Sequence, residues 1–362
     1  MNKRLVFEFI KTIVAIIFAL ALAFTIIYFV SEDPAYALNR FLVGPTGTMR
    51  HFGNVLEMAI PLTFTGLAIC VMFQARQFNI GADGGFFIGA VGATFIAITY
   101  KLPPGVHTLV AIAFGGLLGG LGSSVPALLK AKWKSSELVS SLMMNHILFL
   151  LGLYVINNKL RDPQAGAMAS YTFNETANLS KILEGTRLHS GIFIALLMIA
   201  LTYYFLYRTK WGYALRMTGK SSKFAQYSGI SVTSVIIYSQ VIGGILAGIG
   251  GATEMLGMHN RFQWQLSPGF GWDGIIVAVL ARNNPLLIPI AAFFLAYMRI
   301  GADLMSRMAD VPSEVVSIVQ SIMIMLVTAE AFLSHWRHKL IVRDANVIFD
   351  AKEVKGNVAK LD

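Results

Sequence analysis

Charge is what this sequence has least of. Only 13% of its 362 residues are Asp, Glu, Lys or Arg, while 56% are hydrophobic and the mean hydropathy is +0.64. A water-soluble domain carries about a quarter charged residues, so a surface wetted on every side is excluded. The chain reads as an all-α polytopic membrane protein. Cysteine is nearly absent: Cys70 stands alone inside an apolar run, which excludes an internal disulfide or a cysteine metal centre and leaves a small buried hydrophobe. Of the seven histidines only His335 and His338 stand close together, in a basic tail, and no metal site is expected. Thr218-Gly219-Lys220-Ser221 has the look of the end of a phosphate-binding loop. That motif needs a glycine five places before Gly219, where Ala214 stands, so no ATP site is expected on this chain. A catalytic cluster of the kind a membrane enzyme needs is also missing. The formal charge of +10 is spread over short connections rather than gathered on one domain, and no nucleic-acid partner is expected.

What is present is a series of long apolar runs. About twenty mainly apolar residues cross a bilayer as a helix, and ten such spans are read here, at 12–30, 55–73, 84–100, 108–129, 138–156, 190–207, 234–258, 271–281, 286–300 and 313–333. The eighth is short for a full crossing. The first follows Lys3, Arg4 and Lys11 and resembles a signal peptide, but it is long enough to span and is read as a retained anchor. Short loops rich in Lys and Arg stay on the cytoplasmic side. The strongest are the KAKWKSSE loop before the fifth span and residues 208–232, which hold Arg208, Lys210, Arg216, Lys220 and Lys223 and no acid. Alternation then places both termini in the cytoplasm, in one transmembrane domain over 1–362 with a cytoplasmic tail at 334–362. Tyr213, Leu215, Met217, Phe224 and Tyr227 give the 208–232 loop an amphipathic face, suited to lipid headgroups or to a docking partner.

Two short motifs break the apolar pattern in corresponding places. Gly81-Ala82-Asp83-Gly84 opens the third span and Gly271-Trp272-Asp273-Gly274 the eighth. Lying five spans apart, they run in opposite directions through the membrane, as in transporters built from two inverted halves. The expected halves are 12–156 and 190–333. Clustered glycine with Asn and Asp breaks a helix, and a break at membrane depth persists only where protein or water satisfies its backbone. The candidate lining of a polar pathway is therefore Asn79, Asp83, Phe86, Phe270, Trp272 and Asp273, together with Glu254, which follows the glycine-rich stretch of the seventh span. The aromatic members suit stacking on a flat ring, or a lipid-facing position. Ionisable residues within spans are costly and mark sites by default. For Glu57 and Arg299, near predicted ends, the expectation is a side chain reaching the headgroups.

The run WGYALRMTGKSSKFAQYSGI resembles the cytoplasmic loop of bacterial ABC-importer permeases of the nucleoside and simple-sugar (ribose-type branched) family, whose pattern is G-x-x-L-R-x-x-G-x-x-x-x-x-A-x-x-x-G-I. Gly212, Leu215, Arg216, Gly219, Ala225, Gly229 and Ile230 fill its positions. FNIGADG at 78–84, the LKA, ELV and MMN stretches at 129–145, SQVIGGILAG at 239–248 and GFGWDGIIVA with RNNP at 269–285 are similar to further family motifs in the same order. The nucleoside permeases linked to basic-membrane-protein binding lipoproteins are the nearest in kind. The resemblance implies a permease in the bacterial inner membrane that carries a nucleoside, a simple sugar or a riboflavin-like nutrient inward. It also implies a second permease subunit, a separate ATPase that holds ATP and Mg, and an extracytoplasmic binding lipoprotein. Gly212, Leu215, Arg216, Gly219, Lys220, Ala225 and Gly229 would then couple the chain to the ATPase. Asp83 stands where the family has Glu and Gly85 where Gln is common, so substrate choice differs if these positions line the pathway. The rival reading is an ion-coupled secondary transporter or channel that works alone.

Overall fold

The computed structural model describes residues 21, 24–29, 31–166, 168–309, 311–312, 314–318, 321–322 and 325. Most of the first and tenth predicted spans, His335, His338 and the 334–362 tail lie outside the described residues. Eleven helices are numbered here in chain order. They are α1 (Pro34–Leu42), α2 (Met49–Gln74), α3 (Ala82–Thr99), α4 (Val106–Trp133), α5 (Glu137–Val155), α6 (Gly191–Arg208), α7 (Lys210–Lys220), α8 (Ser222–Tyr227), α9 (Val232–Met258), α10 (Phe270–Leu280) and α11 (Ile288–Met308). Among the described residues seven helices, with α5 continued by a π-turn to Leu160, are long and apolar enough to cross a membrane. Among the described residues there is no β-strand, only the isolated bridges Arg161–Ser170 and Lys181–His189. The chain is an all-helical polytopic membrane protein.

Helix α9 is the hub, packed by α4, α3 and α2. Its small-residue face explains why. A Cβ added to Gly244 or Gly248 of α9 would overlap the backbone carbonyl of Gly119 or Gly115 of α4, so along this seam the two helices meet with almost no side chain between them. Small residues favour close approach in lipid, where no hydrophobic force drives helices together. Away from this seam α4, α5 and α6 expose Leu109, Leu117, Leu150, Tyr154, Phe193 and Tyr204, an apolar surface too broad for water.

Helix α10 has 11 residues and rises about 16 Å, roughly half the hydrocarbon thickness. The predicted short eighth span is thus a half-helix. The polar connection between α5 and α6 folds back over the C-terminal ends of α3 and α9 and the start of α4. Asn174 Nδ2 donates to Ala97 O and Tyr100 O at 2.9 Å each. Phe173 N–H donates to Asn260 O at 2.9 Å and Leu179 N–H to Leu256 O at 3.0 Å. These bonds satisfy backbone groups that a free loop would leave to water.

Candidate functional site

Both breaks expected from the glycine motifs are present, and the fold brings them into contact. After α2 the backbone turns at Arg76, whose φ is +59°, and runs without helix to Gly81. Side chains from α5 and α9 replace the missing helical bonds. Ser141 Oγ accepts from Ile80 N–H at 3.1 Å, and Asn145 Oδ1 accepts from Gly84 N–H at 2.9 Å. Asn145 Nδ2 donates to Ile80 O at 3.0 Å. Asn79 donates to Gln240 Oε1 at 2.6 Å and accepts from Gly81 N–H at 2.5 Å. A break held this way meets the requirement that non-helical backbone at membrane depth be satisfied by protein.

Asp83 in the first turn of α3 and Gly271 in the first turn of α10 touch. Asp83 Oδ1 accepts from Gly271 N–H at 3.2 Å, and Oδ2 accepts from Ser267 Oγ at 2.7 Å. A carboxylate thus sits where two helix N-termini, each with a partial positive charge, converge. Asp273, also in the first turn of α10, accepts from Arg299 Nη2 at 2.5 Å, while its Oδ2 is buried without a hydrogen-bond partner. Arg299 therefore turns inward to an acid, not outward to headgroups as its place near a span end implied. That carboxylate offers it a stronger partner than water does.

The aromatic side chains divide. Phe86 is fully buried, with Trp264 stacked 6.0 Å away and Phe270 at 5.3 Å. Trp272 is about half exposed. Trp264 also packs on Phe87, Phe262 and His259. It escaped sequence reasoning because it lies in the polar segment between α9 and α10 rather than at a break.

The 208–232 loop forms α7 and α8. The Thr209 hydroxyl caps α7 by accepting from Gly212 N–H at 3.0 Å. Gly212 packs against the carbonyls of Phe205 and Leu206, and Gly219 against that of Gln74. Neither position has room for a side chain. Leu215 and Ala225 are fully buried, and the Arg216 guanidinium lies 4.8 Å over the Tyr207 ring. Gly229 has φ +79°, a conformation that favours glycine. Lys220, Trp211, Tyr213, Phe224 and Tyr227 are left exposed. Gln74 Nε2 in turn donates to Asn283 O at 2.7 Å, so the end of α2 joins α7 to the turn that follows α10.

Residues 52–328 match the family described as the permease component of the branched-chain amino acid transport system. The chain belongs to that permease family. It is 31% identical to the guanosine ABC transporter permease NupP of Bacillus subtilis over 349 residues, covering 96% of this chain and all of that one. It is 26% identical to the glucose ABC transporter permease TsgB13 of Haloferax volcanii, over 90% of this chain and 88% of that one. The nucleoside ABC transporter permease NupB of Lactococcus lactis is 25% identical, with 88% and 90% covered. No solved structure matches. The protein is thus an ABC-importer permease subunit, and it is the transport component rather than a catalytic one.

Glu254 of this permease keeps different company from the other candidate pathway residues. It is buried beside Glu57 of α2 and His189, which immediately precedes α6, and one ligand atom from each of the three lies within 4.8 Å of the others. Glu57 is only 6% exposed, so the expectation that it reaches the headgroups is corrected. It sits far enough along α2 to face α9. Burial pushes the His189 pKa down to about 4, leaving the ring neutral at pH 7. A cavity of about 440 Å³ between α2 and α11 is lined by Arg50, Asn54, Glu57, Arg187, Arg299 and Asp303, among others. It puts one member of this cluster and the partner of Asp273 on the same wall. No spacing rule signals this grouping, because its members come from three separate segments.

Proposed function

We propose that this permease carries a nucleoside inward by alternating access, driven by ATP bound with Mg on a separate ATPase subunit. The observation that carries this reading is the 31% identity over the whole length of a guanosine permease. A second permease subunit, homologous but not identical, completes the pathway, and an extracytoplasmic binding lipoprotein delivers the solute to the outer loops. The chain sits in the bacterial inner membrane with both termini in the cytoplasm. It has ten spans in two inverted halves, and the two Gly-x-Asp-Gly breaks occupy equivalent places.

In this reading Asn79, Asp83, Phe86, Phe270, Trp272 and Asp273 line the route. Two converging helix N-termini and two carboxylates offer donors and acceptors to a ribose and a base, and aromatic rings offer stacking faces. Gly212, Leu215, Arg216, Gly219, Lys220, Ala225 and Gly229 form the coupling surface. Movement of α7 reaches α10 through Gln74 and Asn283, whose bond at 2.7 Å joins the ends of rigid elements. ATP acts only through its different affinity for two states, so α7 must meet the ATPase differently in each.

The test is uptake in proteoliposomes holding this permease, its partner permease and ATPase, with the binding lipoprotein inside the assay. Labelled guanosine should accumulate only with ATP, and unlabelled nucleosides should compete while glucose and riboflavin do not. Competition by a sugar or riboflavin alone would reassign the substrate, as the glucose permease relative allows. Transport by this chain without the ATPase would refute the importer mechanism.

A further inference from the structure

We propose that Glu57, Glu254 and His189 form a site for one divalent transition-metal ion of the Zn²⁺ or Mn²⁺ class, joining α2, α9 and the start of α6 near their outer ends. The candidate ligand atoms lie within 4.8 Å of one another. Donors that share a tetrahedral ion at about 2.1 Å stand about 3.4 Å apart, a difference that small side-chain rotations close. Two further observations point to a ligand. Glu254 Oε2 and His189 Nε2 are buried and have no hydrogen-bond partner, although Glu254 is 4% exposed and His189 not at all. Unpaired polar atoms at such depth are costly and call for a partner.

Charge and shape agree with this. Two ionised carboxyl groups this close repel; Arg187, on the cavity wall with Glu57, offsets part of that, and a divalent cation between the two offsets the rest. Room for the imidazole is reserved by Gly191 and Gly257, where an added Cβ would overlap the His189 ring. Glu57 opens onto the cavity between α2 and α11, which gives an ion and any completing water a way in. His189 Nδ1 accepts from Gly191 N–H at 3.2 Å, so the neutral ring carries its proton on Nε2. Binding through Nε2 moves that proton to Nδ1 and gives up one long hydrogen bond, a small loss beside two carboxylate–metal bonds. A mixed carboxylate and imidazole set suits Zn²⁺ or Mn²⁺. Ca²⁺ seeks six to eight oxygens and Mg²⁺ keeps several waters.

The experiment uses the full-length permease, purified in detergent, stripped with chelator and dialysed against metal-free buffer. Zn²⁺, Mn²⁺ and Co²⁺ are then added in turn, and retained metal is counted by mass spectrometry. We expect about one ion per chain, visible Co²⁺ bands of a low-coordinate nitrogen–oxygen site, and affinity lower by at least about tenfold in Glu254→Gln and His189→Gln. The Co²⁺ spectrum needs no variant, so it reports even if a substituted chain fails to fold. Background retention by the wild-type chain, as a proton shared between the two carboxyl groups would give, overturns the proposal. So does equal retention by wild type and both variants. Neither readout involves transport, so failure here is separate from failure of the nucleoside assignment.

Discussion

Replacing Asn145 by Ala removes a side chain that bonds Ile80 and Gly84 on either side of the start of α3. It leaves Gly84 N–H without its 2.9 Å acceptor and Ile80 C=O without its 3.0 Å donor. Asn145 is only 8% exposed, so water does not readily take over. Each orphaned buried group costs about 1–3 kcal/mol, which gives about 2–6 kcal/mol for the pair, with the lower half favoured because unfolded helices in lipid also find partners. Asn145→Asp keeps an acceptor for Gly84 but sets a carboxylate oxygen against Ile80 C=O and buries a charge within a span. Wild type is therefore expected to be the most stable of the three. Reversible unfolding in mixed micelles by SDS titration measures this, with uptake assayed in parallel. An Ala variant within about 0.5 kcal/mol of wild type would refute the claim that Asn145 holds the break in place.

Other perturbations test the remaining links. Gly219→Leu, placed against the Gln74 carbonyl, should abolish ATP-driven uptake while the chain still inserts and the ATPase still turns over; wild-type uptake would remove α7 from the coupling route. Arg299→Ala strips Asp273 of its 2.5 Å partner and should destabilise by about 3 kcal/mol, since a buried charge is left uncompensated. The double variant with Asp273→Asn should recover much of that loss in a double-mutant cycle. His259, outside the spans, has its pKa lowered by burial and then by Arg187. The folded state resists its protonation, so stability should be level above the ordinary histidine range and fall as pH drops through it. His259→Gln should lessen that fall in an unfolding profile recorded from pH 8 to 5, and the part that remains belongs to His189, which burial shifts in the same direction.

Much of this architecture was legible along the chain because it rests on local chemistry. Apolar runs of spanning length mark α2, α3, α4, α5, α6, α9 and α11, and the Gly-x-Asp-Gly motifs mark where α3 and α10 begin. The basic loop reads as cytoplasmic from its charges, and its amphipathic face became α7 and α8. Glu57 and Arg299 were misread because position near a span end says nothing of which way a side chain turns. One meets a carboxylate and a histidine, the other an aspartate.

Sequence by itself determined that the chain lives in a bilayer, where its helices break and which permease family it belongs to. Hydropathy, glycine content and motif order are properties of neighbouring residues. Only the tertiary structure decided that Asp83 bonds Gly271 across 188 positions, that Glu254 faces Glu57 and His189, and that α7 leans on the end of α2. Those meetings depend on how closely the small-residue faces of α4 and α9 let the helices approach, a condition of the whole packed bundle that no local stretch encodes.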